Sequence, residues 1–201
     1  MSEKEVLRVQ MLGGFSITYG EKLVTFRKNA ASKSMQLLQL LLYRKEEGIP
    51  RKELIENLYG RGGLSDPSNN LRVAAHRLRK QMVEAGLPEE EYIKIENGVY
   101  SWSSTIPCVV DVLEFQNLIQ SAQEETEQEK RIVILEQALT LYRGDFLPKL
   151  SGEDWVLLEA VRYKHEYEES LQEVLEYKSR ERKFDDMLQI AAMASDLYPF
   201  D

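Results

Sequence analysis

From Asp66 to Met82 the chain reads DPSNNLRVAAHRLRKQM, with apolar positions at Leu71, Ala75, Leu78 and Met82. At about 100° per residue this spacing traces one narrow stripe along a helix. Asp66 is placed to accept from the first free backbone N–H groups, and Pro67 suits the first helical position. The opposite face carries Asn69, Val73, His76 and Lys80, flanked by Arg72 and Arg77, and no acid follows Asp66 until Glu84. One side anchors in a core while the other presents amide, imidazole and cationic groups outward. Such a face is either a solvated surface or a major-groove reader. A helix fits the groove, Arg forks onto guanine, Asn pairs with adenine and Lys neutralises phosphate.

The flanking patterns set this helix in a frame. Leu7, Val9 and Met11 alternate with polar residues, Phe15, Ile17 and Tyr19 alternate again after Gly13-Gly14, and Leu23–Phe26 reads as a third short strand. Ser32 is positioned to cap a helix running to about Arg44, and Pro50 opens a second helix closed by Gly60. Residues 60–66 form a Gly- and Ser-rich loop. After the 67–83 helix, the β-prone runs Tyr92–Ile95 and Val99–Trp102 flank Asn97-Gly98, the strongest short hairpin signal because a tight primed turn needs positive φ at both positions. Sheet, three helices and hairpin in this order predict a winged helix with an N-terminal sheet, over residues 1–105. There the third helix enters the major groove and the wing reaches backbone or minor groove.

Helical periodicity takes over in residues 106–201. Ser103–Cys108 reads as a short connection, so the two halves are expected to dock closely. Asp111 is expected to cap a helix bearing Val112, Phe115 and Ile119. EETEQEK is a loop or a helix start, and Arg131–Tyr142 is helical. Residues 145–152 are a loop, 153–182 one long helix or two in line with Trp155, Leu158 and Val161 among its apolar positions, and 184–197 a last helix followed by Pro199. The predicted fold is mainly α with a small β part: a winged helix followed by an all-α domain that shares the phase of tetratricopeptide (TPR-like) helical repeats or of a plain bundle.

Charge divides along the same boundary. The net −8 separates into +3 for residues 1–105 and −11 for 106–201, which implies modules with different partners. No apolar run approaches the roughly 18–20 residues that span a bilayer, so no membrane partner is expected. The single cysteine, Cys108, excludes an internal disulfide and fits a reducing cytoplasm. No glycine-rich phosphate loop, metal-ligand spacing or nucleophile–base arrangement stands out, so neither an enzyme nor a cofactor is expected.

LRVQMLGGFSI, KELIENLYG, NNLRVAAHRLRKQM and YIKIENGVYSW, in this order, resemble the OmpR-type DNA-binding domain carried by the Streptomyces antibiotic regulatory protein (SARP) family. The downstream stretches VVDVLEFQNLIQSA and ILEQALTLYRGDFLP resemble the bacterial transcriptional activator domain (BTAD) that follows it there. The resemblance implies sequence-specific binding to double-stranded promoter DNA, commonly at direct repeats. It further implies a helical domain for homodimerisation and for contact with RNA polymerase or other proteins.

Carried over by position, Arg77 is the base-contacting arginine, and Asn69, His76 and Arg79 are phosphate contacts. Tyr100 is a backbone contact of the wing. Arg72 and Lys80 join them from phase and charge alone, and Lys94 as a wing phosphate contact. Relatives often hold an arginine near the wing tip, where this chain has Glu96. Arg79 lies close enough to the apolar stripe to pair inside the fold instead, and Tyr100 and Trp102 also read as hairpin core. Family members continue for further helices, so the sequence reads as a fragment of a longer protein or as one whose last face a second copy covers. The rival reading is a protein-interaction scaffold whose winged helix no longer binds DNA.

Overall fold

The computed structural model describes residues 5–26, 32–60 and 66–198. The alternation LRVQ forms β1 (Leu7–Gln10), which pairs antiparallel with β2 (Ser16–Tyr19) so that Leu7, Val9 and Ile17 enter the core. β3 (Lys22–Leu23) is shorter than the pattern suggests. Leu23 is exposed, so only two residues gain from pairing. α1 (Lys33–Tyr43) buries Met35, Leu37, Leu38, Leu41 and Leu42. Pro50 does not open the second helix. With Ile49 it forms β4 (Ile49–Pro50), and α2 (Arg51–Tyr59) starts one residue later. α3 (Pro67–Glu84) packs on α1 and α2. β5 (Ile93–Glu96) and β6 (Val99–Trp102) make the hairpin, with Asn97 and Gly98 both at positive φ as the turn requires. β4 extends that hairpin to three strands. The middle of the 60–66 loop and Pro199 lie outside the described residues.

The second half begins inside the first. β7 (Cys108–Val110), which starts at the end of the expected Ser103–Cys108 connection and is not expected as a strand from the sequence, pairs parallel with β1 and completes a sheet of order β3-β2-β1-β7. Three residues are too few for a period-two signal, and the pairing that makes them a strand is supplied from a hundred residues away. α4 (Asp111–Glu124), α5 (Gln128–Leu141), α6 (Asp154–Arg180) and α7 (Phe184–Leu197) follow, each packed on the next. The Glu125–Glu127 turn settles EETEQEK as the joint between two helices, and α6 is one uninterrupted helix. A short 3-10 turn, Pro148–Leu150, interrupts the loop before α6.

Asp111 does not cap α4 from outside; Val110 holds the cap position. The Asp111 carboxylate turns back and accepts from the N–H groups of Met11 (2.8 Å), Leu12 (3.0 Å) and Val112 (2.7 Å). On the other side of the same seam, Gly13 N–H donates to Asp145 O (2.9 Å) and Leu147 N–H to Met11 O (2.9 Å). The backbones touch there. A Cβ on Gly13, whose φ is +83°, would lie 2.3 Å from Arg143 O. Phe146, fully buried, packs between Tyr43 of α1 (5.1 Å) and Tyr163 of α6 (5.4 Å), and the two tyrosine hydroxyls share a hydrogen bond of 2.7 Å.

The apolar face of α6 differs from the sequence reading. Val156, Tyr163, Tyr167 and Val174 are buried, whereas Leu157, Leu158 and Val161 are exposed, Leu158 by 74%. At about 100° per residue the two sets lie roughly 150° apart around the helix axis. α7 buries no residue fully.

Two outcomes test this seam. Gly13→Ala combines a disfavoured φ with a backbone clash and should lower thermal stability by several kcal/mol, about 3 or more, in differential scanning calorimetry. Burial holds the Asp111 carboxyl at about 6, against the N–H donors and Arg143 that pull it down. Because the folded value lies above the ordinary 3.8, this group favours the folded state most below pH 3.8, and the benefit is lost as pH rises through 6. Two units correspond to about 3 kcal/mol. Raising pH from 4 to 7 should therefore cost the native protein about that much relative to Asp111→Asn, measured by urea unfolding.

Candidate nucleic-acid interface

α3 is started by Asp66, whose carboxylate accepts from Asn69 N–H (2.9 Å), with Pro67 in the first turn. Leu71, Ala74, Ala75, Leu78 and Met82 are its buried residues, so the core holds one side and fixes the rotation of the other. Asn69, Arg72, Val73, His76, Arg77 and Lys80 are all exposed on that other side.

The side chains differ in how committed they are. Arg72 Nη2 donates to Asn69 Oδ1 (2.7 Å), which braces both at the N-terminal end of the helix. Among the described residues Arg77 has no carboxylate partner. It lies near enough to Tyr59 of α2 to oppose the upward pKa shift that burial imposes on that phenol. Lys80 pairs with Glu84 (3.6 Å) one turn on, an exposed pair that costs little to break.

Lys94 and Glu96 sit together on the wing (2.8 Å). The hydrogen bond to that carboxylate holds Lys94 above the ordinary lysine value. Glu96 thus occupies the only wing cation offered by the sequence reading.

Two of the expected contacts serve the framework. Arg79 is half-buried, and its Nη2 donates to Ile93 O (2.9 Å), tying α3 to the hairpin. Tyr100 is 3% exposed and lies under the hairpin opposite Ile49 and Ile95. Both choices were open in the sequence. The structure gives each a packing role: Arg79 bonds the main chain of β5, and Tyr100 is buried.

Sequence reasoning passed over Arg51 and Lys52. Both are exposed at the N-terminus of α2, and Arg51 N–H donates to Gly98 O in the wing turn (2.8 Å). This places two further cations beside the wing. Their signal was available: adjacent basic residues immediately after Pro50, outside the apolar set Leu54 and Leu58. Among the described residues no group of His, Cys, Asp and Glu could hold a metal ion.

Comparison with known proteins agrees with this architecture. Residues 27–99 match the family "Transcriptional regulatory protein, C terminal", and residues 110–201 match "Bacterial transcriptional activator domain". No curated protein matches the chain. Among solved structures it is similar to Mycobacterium tuberculosis EmbR, solved in complex with a low affinity phosphopeptide. The two share 18% identity with a TM-score of 0.70 over 98% of this chain. The chain spans about half, 52%, of the EmbR chain.

Replacing Arg79 with Gln should cost about 1 kcal/mol of stability by loosening the hairpin from α3. Chemical unfolding would show this, and the same loss should appear with no DNA present. Residues 27–99 and 110–201 thus set a transcriptional-regulator winged helix directly before a bacterial transcriptional activator domain, the domain order of the SARP/BTAD-type bacterial transcriptional regulators that the chain resembles.

Proposed function

We propose that this transcriptional regulator binds promoter DNA sequence-specifically, with α3 in the major groove and the β5–β6 wing over the adjacent backbone. The observation that carries the reading is the exposed array Asn69, Arg72, His76, Arg77 and Lys80. A buried stripe holds it in phase, and it is free of acids up to Glu84. Arg77 reads a base, favouring guanine. The Asn69–Arg72 pair contacts backbone or base at the entry of the helix, and His76 and Lys80 lie against phosphates. Arg51, Lys52 and Lys94 add phosphate contacts around the wing, while Arg79 and Tyr100 support the surface from behind. Direct repeats would seat two copies side by side.

The helical domain supplies the protein contacts, in a homodimer and with RNA polymerase. The exposed Leu157, Leu158 and Val161 support a protein partner, since adjacent apolar residues left in solvent usually mark an interaction surface. The setting is the cytoplasm. Among the described residues no helix is long and apolar enough to cross a membrane.

The alternative is an interaction scaffold that has lost DNA. The Lys94–Glu96 pair favours it, because a wing that neutralises its own cation is poorly made for phosphate.

Selection of binding sites from random duplex DNA, at low and moderate salt, separates the two. An enriched motif with affinity that falls steeply with salt is expected. No enrichment by the folded protein would favour the scaffold. Arg77→Ala should cost roughly 1–3 kcal/mol at a single base pair and relax preference there. An equal loss on all sequences would make Arg77 a phosphate contact instead.

A further inference from the structure

The outward face of the four-stranded sheet carries its own chemistry. The alternation that sends Leu7 and Val9 inward sends Arg8 and Gln10 outward, with Arg8 opposite Thr18 on β2 and Val109 on β7. Arg143, in the loop after α5, and Glu114 of α4 close this face into a recess of about 240 Å³. Several cations of the chain are committed: Arg44, Lys45, Arg131, Arg162 and Lys178 all sit in ion pairs. Arg8 and Arg143 are different. Among the described residues neither has a carboxylate within ion-pair distance, although Arg143 belongs to the half of the chain that carries −11.

Two carboxylates border the same recess, and they are not equivalent. The oxygens of Asp111 accept from three backbone N–H groups, and Arg143 is near enough to draw its pKa down against burial, which still holds it up. Glu114 is exposed and free to repel. Thr18 Oγ1 offers a hydroxyl donor, and Ser16 is turned aside by its hydrogen bond to Gln10 (3.3 Å).

We propose that this recess binds the phosphate group of a small phosphorylated metabolite. Arg8 and Arg143 supply planar, permanently charged forks that match phosphate oxygens, and Thr18 adds a third donor. The volume lies below the roughly 300–1,000 Å³ of sites for drug-sized ligands, so it accommodates a phosphate and a few further atoms, not a nucleotide. The ligand bridges β1 of one half and the Arg143 loop of the other, so its binding stabilises the seam between them. The proposal does not depend on DNA binding.

The test uses the whole chain with inorganic phosphate and with glycerol 3-phosphate as probes, against chloride at equal ionic strength. Binding is followed by amide chemical shifts and by the melting temperature. Arg8→Gln and Arg143→Gln should each weaken binding at least tenfold while leaving the circular dichroism spectrum unchanged. Glu114→Gln should tighten it several-fold, an effect of opposite sign that no loss of folding can mimic. Tighter binding of glycerol 3-phosphate than of inorganic phosphate supports an organic ligand; the reverse order overturns that part. Equal response of all variants, a response reproduced by chloride, or one abolished by Arg77→Ala would overturn the site.

Discussion

The mutual grip of two loops governs this molecule: Met11–Gly14 in the first half and Arg143–Leu147 in the second. Main-chain hydrogen bonds run across it in both directions, the backbones approach until only glycine fits at position 13, and the Asp111 carboxylate closes the end. Peptide groups fix the geometry of this contact, and the buried side chains of Met11, Leu12, Phe146 and Leu147 fill it, so that the two halves are held in one orientation. Leu147 is held at φ +42°, a conformation that a branched side chain adopts only when its surroundings impose it.

Around that grip the aromatic residues assemble in layers. Tyr43 comes from the first half, Phe146 from the loop, and Trp155 and Tyr163 from α6. Phe115 and Tyr142 continue the cluster toward Tyr167, on which Tyr142 stacks at 4.3 Å. α1 thus faces α3 on one side and the helical domain on the other. A displacement of the helical domain would act on α1, against which α3 is packed. The exposed array on α3 is held by α1 together with α2 and the Arg79 bond to the hairpin, and of these α1 is the one that also meets the helical domain's aromatic cluster.

Much of this could be read from the residues alone. The stripe Leu71, Ala75, Leu78 and Met82 and the Asn97-Gly98 turn are local signals, and local signals survive without tertiary information. What escaped has a common cause. β7 is too short to show a period. Asp111 looks like any N-terminal acid until β1 arrives beside it, and Pro50 is recruited into β4 by the hairpin. In α6, Leu158 and Val161 look as apolar as Val156 and Tyr163, and only the direction of α5 decides which set is covered. At the candidate site, the positions Asn69, Arg72, His76, Arg77 and Lys80 follow from phase. The fates of Arg79 and Tyr100 depended on where the hairpin lands, which no helix periodicity encodes.

The parallel pairing of β7 with β1 bears on how such proteins can be taken apart. A winged helix excised at residue 105 would keep β1 but lose the neighbour that covers one of its edges, leaving a row of unsatisfied main-chain groups open to any passing strand. The unit that would stay intact on excision is accordingly not the winged helix by itself. It is that half together with the strand and carboxylate at the head of α4, so the cut that respects the physics falls within what the sequence presents as the second module.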